Sequence, residues 1–218
     1  MDNQQGNLLY NLEQVIEPMA YTIGALLGDG SVKLHISISN SKMIKTYAVV
    51  LSNMDKECVE RVCGEINRFC NTHYTIKEYK NPNNTTMYRL AINNEDIYTF
   101  FSYFILDKLL LVDEIFRMNR QAKLDFIAGL FDTDGTIAKC SGYYRLGYAA
   151  RFKTLVEDVA RLLQKMGVKT GKVYEQVSGY GTTMYVIKPN IRSFIDAGCY
   201  FYIPRKAQRL YDYLATVM

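Results

Sequence analysis

The chain has 218 residues, 49% hydrophobic and 22% charged, the composition of a soluble globular protein with room for one large domain or two small ones. A net charge of +4 is compatible with nucleic acid without demanding it, and apolar runs such as 98–106 are too short to cross a bilayer. Only His35 and His73 are available, which argues against histidine-based metal nucleases and zinc hydrolases. The five cysteines (Cys58, Cys63, Cys70, Cys140, Cys199) lack any Cys-x-x-Cys spacing and follow no signal peptide, so they are expected as reduced thiols of an intracellular protein, cytoplasmic or organellar.

Residues 1–7 are expected to fray, and 8–16 form a short amphipathic segment. Pro18 suits the start of a helix over 19–28. After Gly30 the period changes to two. Val32, Leu34, Ile36 and Ile38 alternate with Lys33, His35, Ser37 and Ser39, which predicts a strand with one dry and one polar face. A loop over 40–45 leads to a second strand, 46–53. Asp55 stands where it can cap the next helix, which runs to about 69 on a stripe of Val59, Val62, Cys63 and Ile66. A hairpin of 74–79 and 87–93 follows, then a helix over 95–106. A short connection leads to a helix over 119–133. The order then repeats: strands 136–140 and 143–151, helix 153–166, strands 172–177 and 182–188, helices 190–197 and 205–217.

The repeat is visible in the residues themselves. Tyr21-Thr-Ile-Gly-Ala-Leu-Leu-Gly-Asp-Gly-Ser31 returns inside Asp125-Phe-Ile-Ala-Gly-Leu-Phe-Asp-Thr-Asp-Gly-Thr136. Gly24 falls on Gly129, Gly28 on Thr133, Asp29 on Asp134 and Gly30 on Gly135, at an offset of 105 residues. Lys56-Glu-Cys-Val-Glu-Arg-Val likewise lies over Lys153-Thr-Leu-Val-Glu-Asp-Val. The expected fold is therefore α+β, two pseudo-symmetric αββαββα repeats over 1–112 and 113–218. Small residues four apart on each motif helix allow the two helices to pack with backbones nearly touching. Asp29 and Asp134 then emerge at the same end. A carboxylate in the last turn of a helix opposes the macrodipole by ~0.3–1 kcal/mol, so it is either solvated or holding a cation. Two such carboxylates in one cleft repel unless a cation sits between them. Oxygen ligands of this kind suit Mg²⁺, and divalent metals beside paired carboxylates support in-line attack of water on a phosphodiester. The carbonyls of Gly28 and Thr133 are candidates for further ligands.

Ile127-Ala-Gly-Leu-Phe-Asp-Thr-Asp-Gly135 closely resembles the signature of the LAGLIDADG homing endonucleases. Thr22-Ile-Gly-Ala-Leu-Leu-Gly-Asp-Gly30 resembles it loosely, with Leu27 in place of the first acid. Through the repeated pattern the resemblance, to the single-chain two-motif form, covers nearly the whole chain. It implies a monomeric endonuclease that cuts double-stranded DNA at a long asymmetric site with Mg²⁺ or another divalent cation such as Mn²⁺. It also implies motif helices at the interface and antiparallel sheets forming a DNA-binding saddle. By the same resemblance Asp29 and Asp134 are the metal ligands, and Asp132 is structural.

The family also places basic side chains around the scissile phosphates. Aligning Arg120-Gln-Ala-Lys-Leu124 with Lys206-Ala-Gln-Arg-Leu210 makes Arg120 and Lys206 paired candidates. Asn53 and Met54 align with Ala150 and Arg151, where the family often has a polar or basic residue; Arg151 fits and Met54 does not. Strand faces would read DNA in the major groove. In the first copy the readers are Lys33, His35, Ser37, Ser39, Asn53, Lys77, Tyr79 and Arg89. In the second they are Lys139, Tyr143, Arg145, Lys172, Tyr174, Gln176 and Lys188. The copies differ at these positions and agree in the motif, as expected of two unlike half-sites served by one centre. Two other activities suit the same scaffold: an RNA-binding maturase, with intron RNA as partner, and a DNA-binding protein that has lost cleavage. Acids in both motifs argue against either as the sole role.

Overall fold

The computed structural model describes residues 15–39, 42–105, 108–177, 179 and 181–217. The expectations for residues 1–7, and nearly all of 8–16, lie outside these. A 3-10 turn, Glu17–Met19, carries Pro18 in its first positions and leads into α1, Ala20–Asp29. The first half continues as β1 (Gly30–Ser39), β2 (Lys42–Asn53), α2 (Lys56–Cys70), β3 (Lys77–Lys80), β4 (Thr86–Ile92) and α3 (Glu95–Ile105). After a short helix α4, Asp113–Arg117, the second half repeats the order. It runs α5 (Arg120–Thr133), β5 (Gly135–Cys140), β6 (Tyr143–Ala150), α6 (Lys153–Lys165), β7 (Tyr174–Val177), β8 (Thr183–Ile187) and α7 (Ile191–Asp196), closing with α8 (Pro204–Val217). Each half holds one four-stranded antiparallel sheet, in the orders β1-β2-β4-β3 and β5-β6-β8-β7. The expected α+β fold of two pseudo-symmetric repeats is the observed one. No helix among the described residues is long and apolar enough to cross a membrane.

Helices cover one face of each sheet. Val49, Leu51, Leu90 and Ile92 point into that layer and are buried, as are Ile137, Leu146, Tyr148 and Ile187 in the second half. The opposite faces are free of helices. At the centre α1 and α5 pack against each other, and the close approach rests on glycine. A Cβ on Gly24 would lie 2.1 Å from the Phe126 carbonyl oxygen, and one on Gly129 would lie 2.1 Å from that of Tyr21. The two contacts are symmetric, so the small-residue spacing in the sequence is the reason the two halves meet here.

The structure corrects several details. Of the loop expected over 40–45, residues 40 and 41 lie outside the described residues and 42–45 are strand, because β1 and β2 stay paired from Gly30↔Leu51 out to Ser39↔Lys42. This long hairpin overhangs the helices, so its apolar face is not dry: Leu34, Ile36, Ile38 and Met43 are all exposed. Asp55 stands at the N-cap of α2 but makes no capping bond; its carboxylate accepts two hydrogen bonds from Arg205 at 2.6 Å each. The strand expected from 74 begins only at Lys77, since the Asn67 side chain ties down the Tyr74 backbone at both its N–H and its carbonyl. Helix α4 was legible only as a connection, being too short to show a period.

Candidate active site: a carboxylate pair between two lysines

Helix α1 ends on Asp29, and α5 ends at Thr133 with Asp134 as its C-cap. Because the helices cross at their glycines, the two acids leave at the same end. A Cβ on Gly28 would lie 2.0 Å from Thr133 Oγ1 and 3.3 Å from the Asp134 carboxyl carbon. Burial, and after it the charge of Asp29, pushes the Asp134 carboxyl up to about 6. Burial raises Asp29 too, against the pull of Asn53, Lys108 and Lys206.

Two ammonium groups hold the helix ends. Lys108 Nζ donates to the carbonyls of Gly28 (2.6 Å) and Gly30 (2.7 Å), which flank Asp29. Lys206 Nζ donates to Phe131 (2.8 Å), Asp132 (2.6 Å) and Gly135 (2.7 Å), with a longer contact to Thr133 (3.5 Å). The last carbonyls of a helix lack intrahelical partners and carry its negative end, so a cation there satisfies both. Burial lowers both lysines, Lys206 to about 8.

Lys206 lies near the acids, but its buried ammonium is bonded to helix-end carbonyls and is not open to a phosphate; the matching anchor on α1 is Lys108, which sequence reasoning missed. The signal was present only as a lone lysine after the third helix of the first repeat. Arg120 is not the partner. It opens α5 while Asp134 closes it, about 20 Å away along a 14-residue helix, and its guanidinium donates to the Ala197 carbonyl at the end of α7. The Gly28 carbonyl, expected as a further ligand, accepts from Lys108 at 2.6 Å, and that of Thr133 lies 3.5 Å from Lys206; each oxygen keeps a second lone pair. Asn53 is buried and donates to Asp29 Oδ2 at 2.7 Å, so it belongs to the acid and not to a groove surface. Its counterpart, Ala150, makes no such bond. There a cleft of about 270 Å³ opens, lined by Asp134, Lys108, Ala150 and the exposed Arg151. Asp132 is buried at 1% exposure and accepts from the Tyr21 hydroxyl and the Tyr202 and Ile203 amides, a structural post.

Strand register sorts the remaining candidates. Lys33, His35, Ser37 and Ser39 lie opposite Ala48, Thr46, Ile44 and Lys42 on the helix-free face of the first sheet, and Lys77, Arg89 and Tyr79 share it. In the second sheet that face carries Tyr143, Arg145, Tyr174 and Gln176. Lys188 follows β8 and lies 4.7 Å from the Tyr174 ring. Lys172 is exposed but precedes β7 in coil. Lys139 is on the wrong face: Gly135 and Ile137 of the same strand face the helices, so period two turns Lys139 the same way, over the Tyr144 ring.

Comparison with known proteins bears on this arrangement. Residues 121–201 match the model of a LAGLIDADG-like domain, and residues 19–123 match that of the WhiA LAGLIDADG-like domain. No curated protein matches the chain. Mesophilic variants of the homing endonuclease I-DmoI align over 85% of this chain and 94% of their own, with a TM-score of 0.61 at 23% identity. I-DmoI in complex with DNA and Ca aligns over 92% and 100%, with a TM-score of 0.65 at 22% identity. Meganuclease I-SmaMI bound to uncleaveable DNA aligns over 91% and 87%, with a TM-score of 0.53 at 11% identity. At these identities the likeness establishes the fold.

Proposed function

Because this chain belongs to the LAGLIDADG family in its two-motif form, we propose that it is a site-specific endonuclease. It would hydrolyse both strands of a long asymmetric DNA target with Mg²⁺ or a similar divalent cation. The observation that carries the reading is the pairing of Asp29 and Asp134 at the crossing of α1 and α5, between two sheets whose helix-free faces bear basic side chains. A divalent cation fits this pair, since it removes both the burial penalty and the mutual repulsion that raise the Asp134 carboxyl. When bound, such a cation supplies an activated water and stabilises charge on the phosphate oxygens. Lys108 and Lys206 fix the helix ends that carry the acids. Arg151, exposed in the cleft beside Asp134, would supply a contact to a phosphate. One chain supplies both halves of the centre, so the enzyme would act as a monomer.

The same scaffold suits a second reading, DNA binding without cleavage, and the match of the first half to the WhiA LAGLIDADG-like domain is compatible with it. One experiment separates them. Duplexes bound by the chain are selected from a random double-stranded library and incubated with Mg²⁺ or Mn²⁺, alongside the Asp29→Asn and Asp134→Asn variants. Nuclease function requires double-strand products from the wild type, their loss in both variants, and binding retained, since affinity comes mainly from phosphate and groove contacts. Binding with no product in either metal would establish the second reading.

A further inference from the structure

On the reading of the helix-free faces as the DNA surface, one residue stands apart. Lys33, His35 and Ser37 of β1 and Lys42 and Thr46 of β2 make the outer part of the first sheet's face polar and exposed. Ile44, paired with Ser37 in their midst, is apolar and 47% exposed. It takes no part in the hairpin's own apolar side, because alternation puts Leu34, Ile36, Ile38 and Met43 on the other face. Strand propensity suits an isoleucine here, but burial in the core does not account for its apolar side chain. A major groove presents donors, acceptors and a single apolar feature, the thymine methyl group. We propose that Ile44 is a specificity determinant that reads a thymine 5-methyl group in the first half-site.

The strand fixes where that thymine lies. β1 leaves Asp29 directly, and Ser37, the partner of Ile44, comes eight residues later. At ~3.3 Å per residue and ~3.4 Å per base pair, Ile44 stands about 26 Å, or about eight base pairs, from the carboxylate pair. Among the described residues the corresponding hairpin of the second sheet has no equivalent reader, since β5 and β6 pair only as far as Cys140↔Tyr143, five residues beyond Gly135, whereas β1 and β2 reach Ser39↔Lys42, nine beyond Gly30. Methyl reading at this distance is thus a property of one half-site only.

The test uses deoxyuridine, which differs from thymidine only in lacking the methyl group. A site is recovered by selection from a random duplex library with the wild-type chain, and each thymine is then replaced singly by deoxyuridine. The expected result is one position, about eight base pairs from the centre in one half-site, where replacement weakens binding roughly fourfold, the effect of losing one CH₂-sized apolar contact. Ile44→Ser, an exposed change whose melting temperature confirms the fold, should bind the thymine and deoxyuridine sites equally. If no replacement weakens binding, or if the loss persists in Ile44→Ser, the assignment of Ile44 is overturned while DNA binding stands. If selection recovers no bound duplex, the DNA surface itself is overturned, and the assignment with it.

Discussion

Asp134 is held at an energetic cost, and that cost can be measured. Its carboxyl is pushed from 3.8 up to about 6. Between those values the folded chain binds the more protons, so the stability gained from the neutral carboxyl is complete below about pH 4 and is lost as pH climbs through 6. The loss amounts to at most roughly 3 kcal/mol at 1.36 kcal/mol per unit. Asparagine resembles the neutral acid, so Asp134→Asn should raise the melting temperature at pH 7.5 in chelator, by ~2–4 °C per kcal/mol recovered. Near pH 4 the variant and the wild type should melt together. A variant no more stable than wild type at pH 7.5 would show that the carboxylate is not penalised there. A residue at this position that lowers stability fits a site kept for chemistry.

At the scale of elements, the crossing of α1 and α5 decides where everything else goes. Built Cβ atoms on Gly24 and Gly129 meet backbone oxygen at 2.1 Å, and backbone cannot turn aside as a side chain can. Gly24→Ala or Gly129→Ala should therefore cost about 1–3 kcal/mol or more, with the helices forced apart. Gly64, in the middle of α2, is the control. A Cβ there meets nothing within 4 Å, so Gly64→Ala should stabilise by ~0.4–1 kcal/mol through a less flexible unfolded chain. Thermal or urea denaturation of the three variants checks both signs, and a neutral Gly24→Ala would refute the close crossing. The β1–β2 hairpin is the opposite kind of element. Both faces of its outer part are exposed, so its amides should exchange rapidly in the free protein and become protected on DNA.

Across the whole molecule, side chains from one half grip the other. Arg205 pairs with Asp55, and Arg61 pairs with Asp125 at 3.0 Å while lying 3.9 Å over the Tyr21 ring. Tyr21 in turn donates to Asp132 at 2.8 Å, and the Glu17 carboxylate accepts from Asn119, the N-cap of α5. With the halves fixed together, the distance between their two reading faces is fixed as well. Lys33→Ala and Arg89→Ala should change preference on one side of the target, and Arg145→Ala and Lys188→Ala on the other. Each should also lower the salt slope of binding by roughly one unit if the lost contact is to phosphate. Affinities against single-base variants of the selected site test this. An even effect across the site from any first-half change would contradict the division.

The sequence by itself determined the repeat, the α+β order of each half, the crossing of the motif helices and the position of both acids at one end. Each rests on a pattern within a short window, which the repeat shows twice, 105 residues apart: small residues four apart, apolar residues two apart, an acid before a glycine. Only the tertiary structure decided what surrounds the acids. Lys108 reaches Gly28 across 80 residues of chain, and Arg120, which matched Lys206 in the alignment, lies at the far end of its helix. Asn53 could be read as a groove contact until the fold turned its amide onto Asp29. Lys139 looked like its basic neighbours until pairing with Tyr144 fixed its face. A side chain's partner is set by where folding brings its tip, which local periodicity does not record.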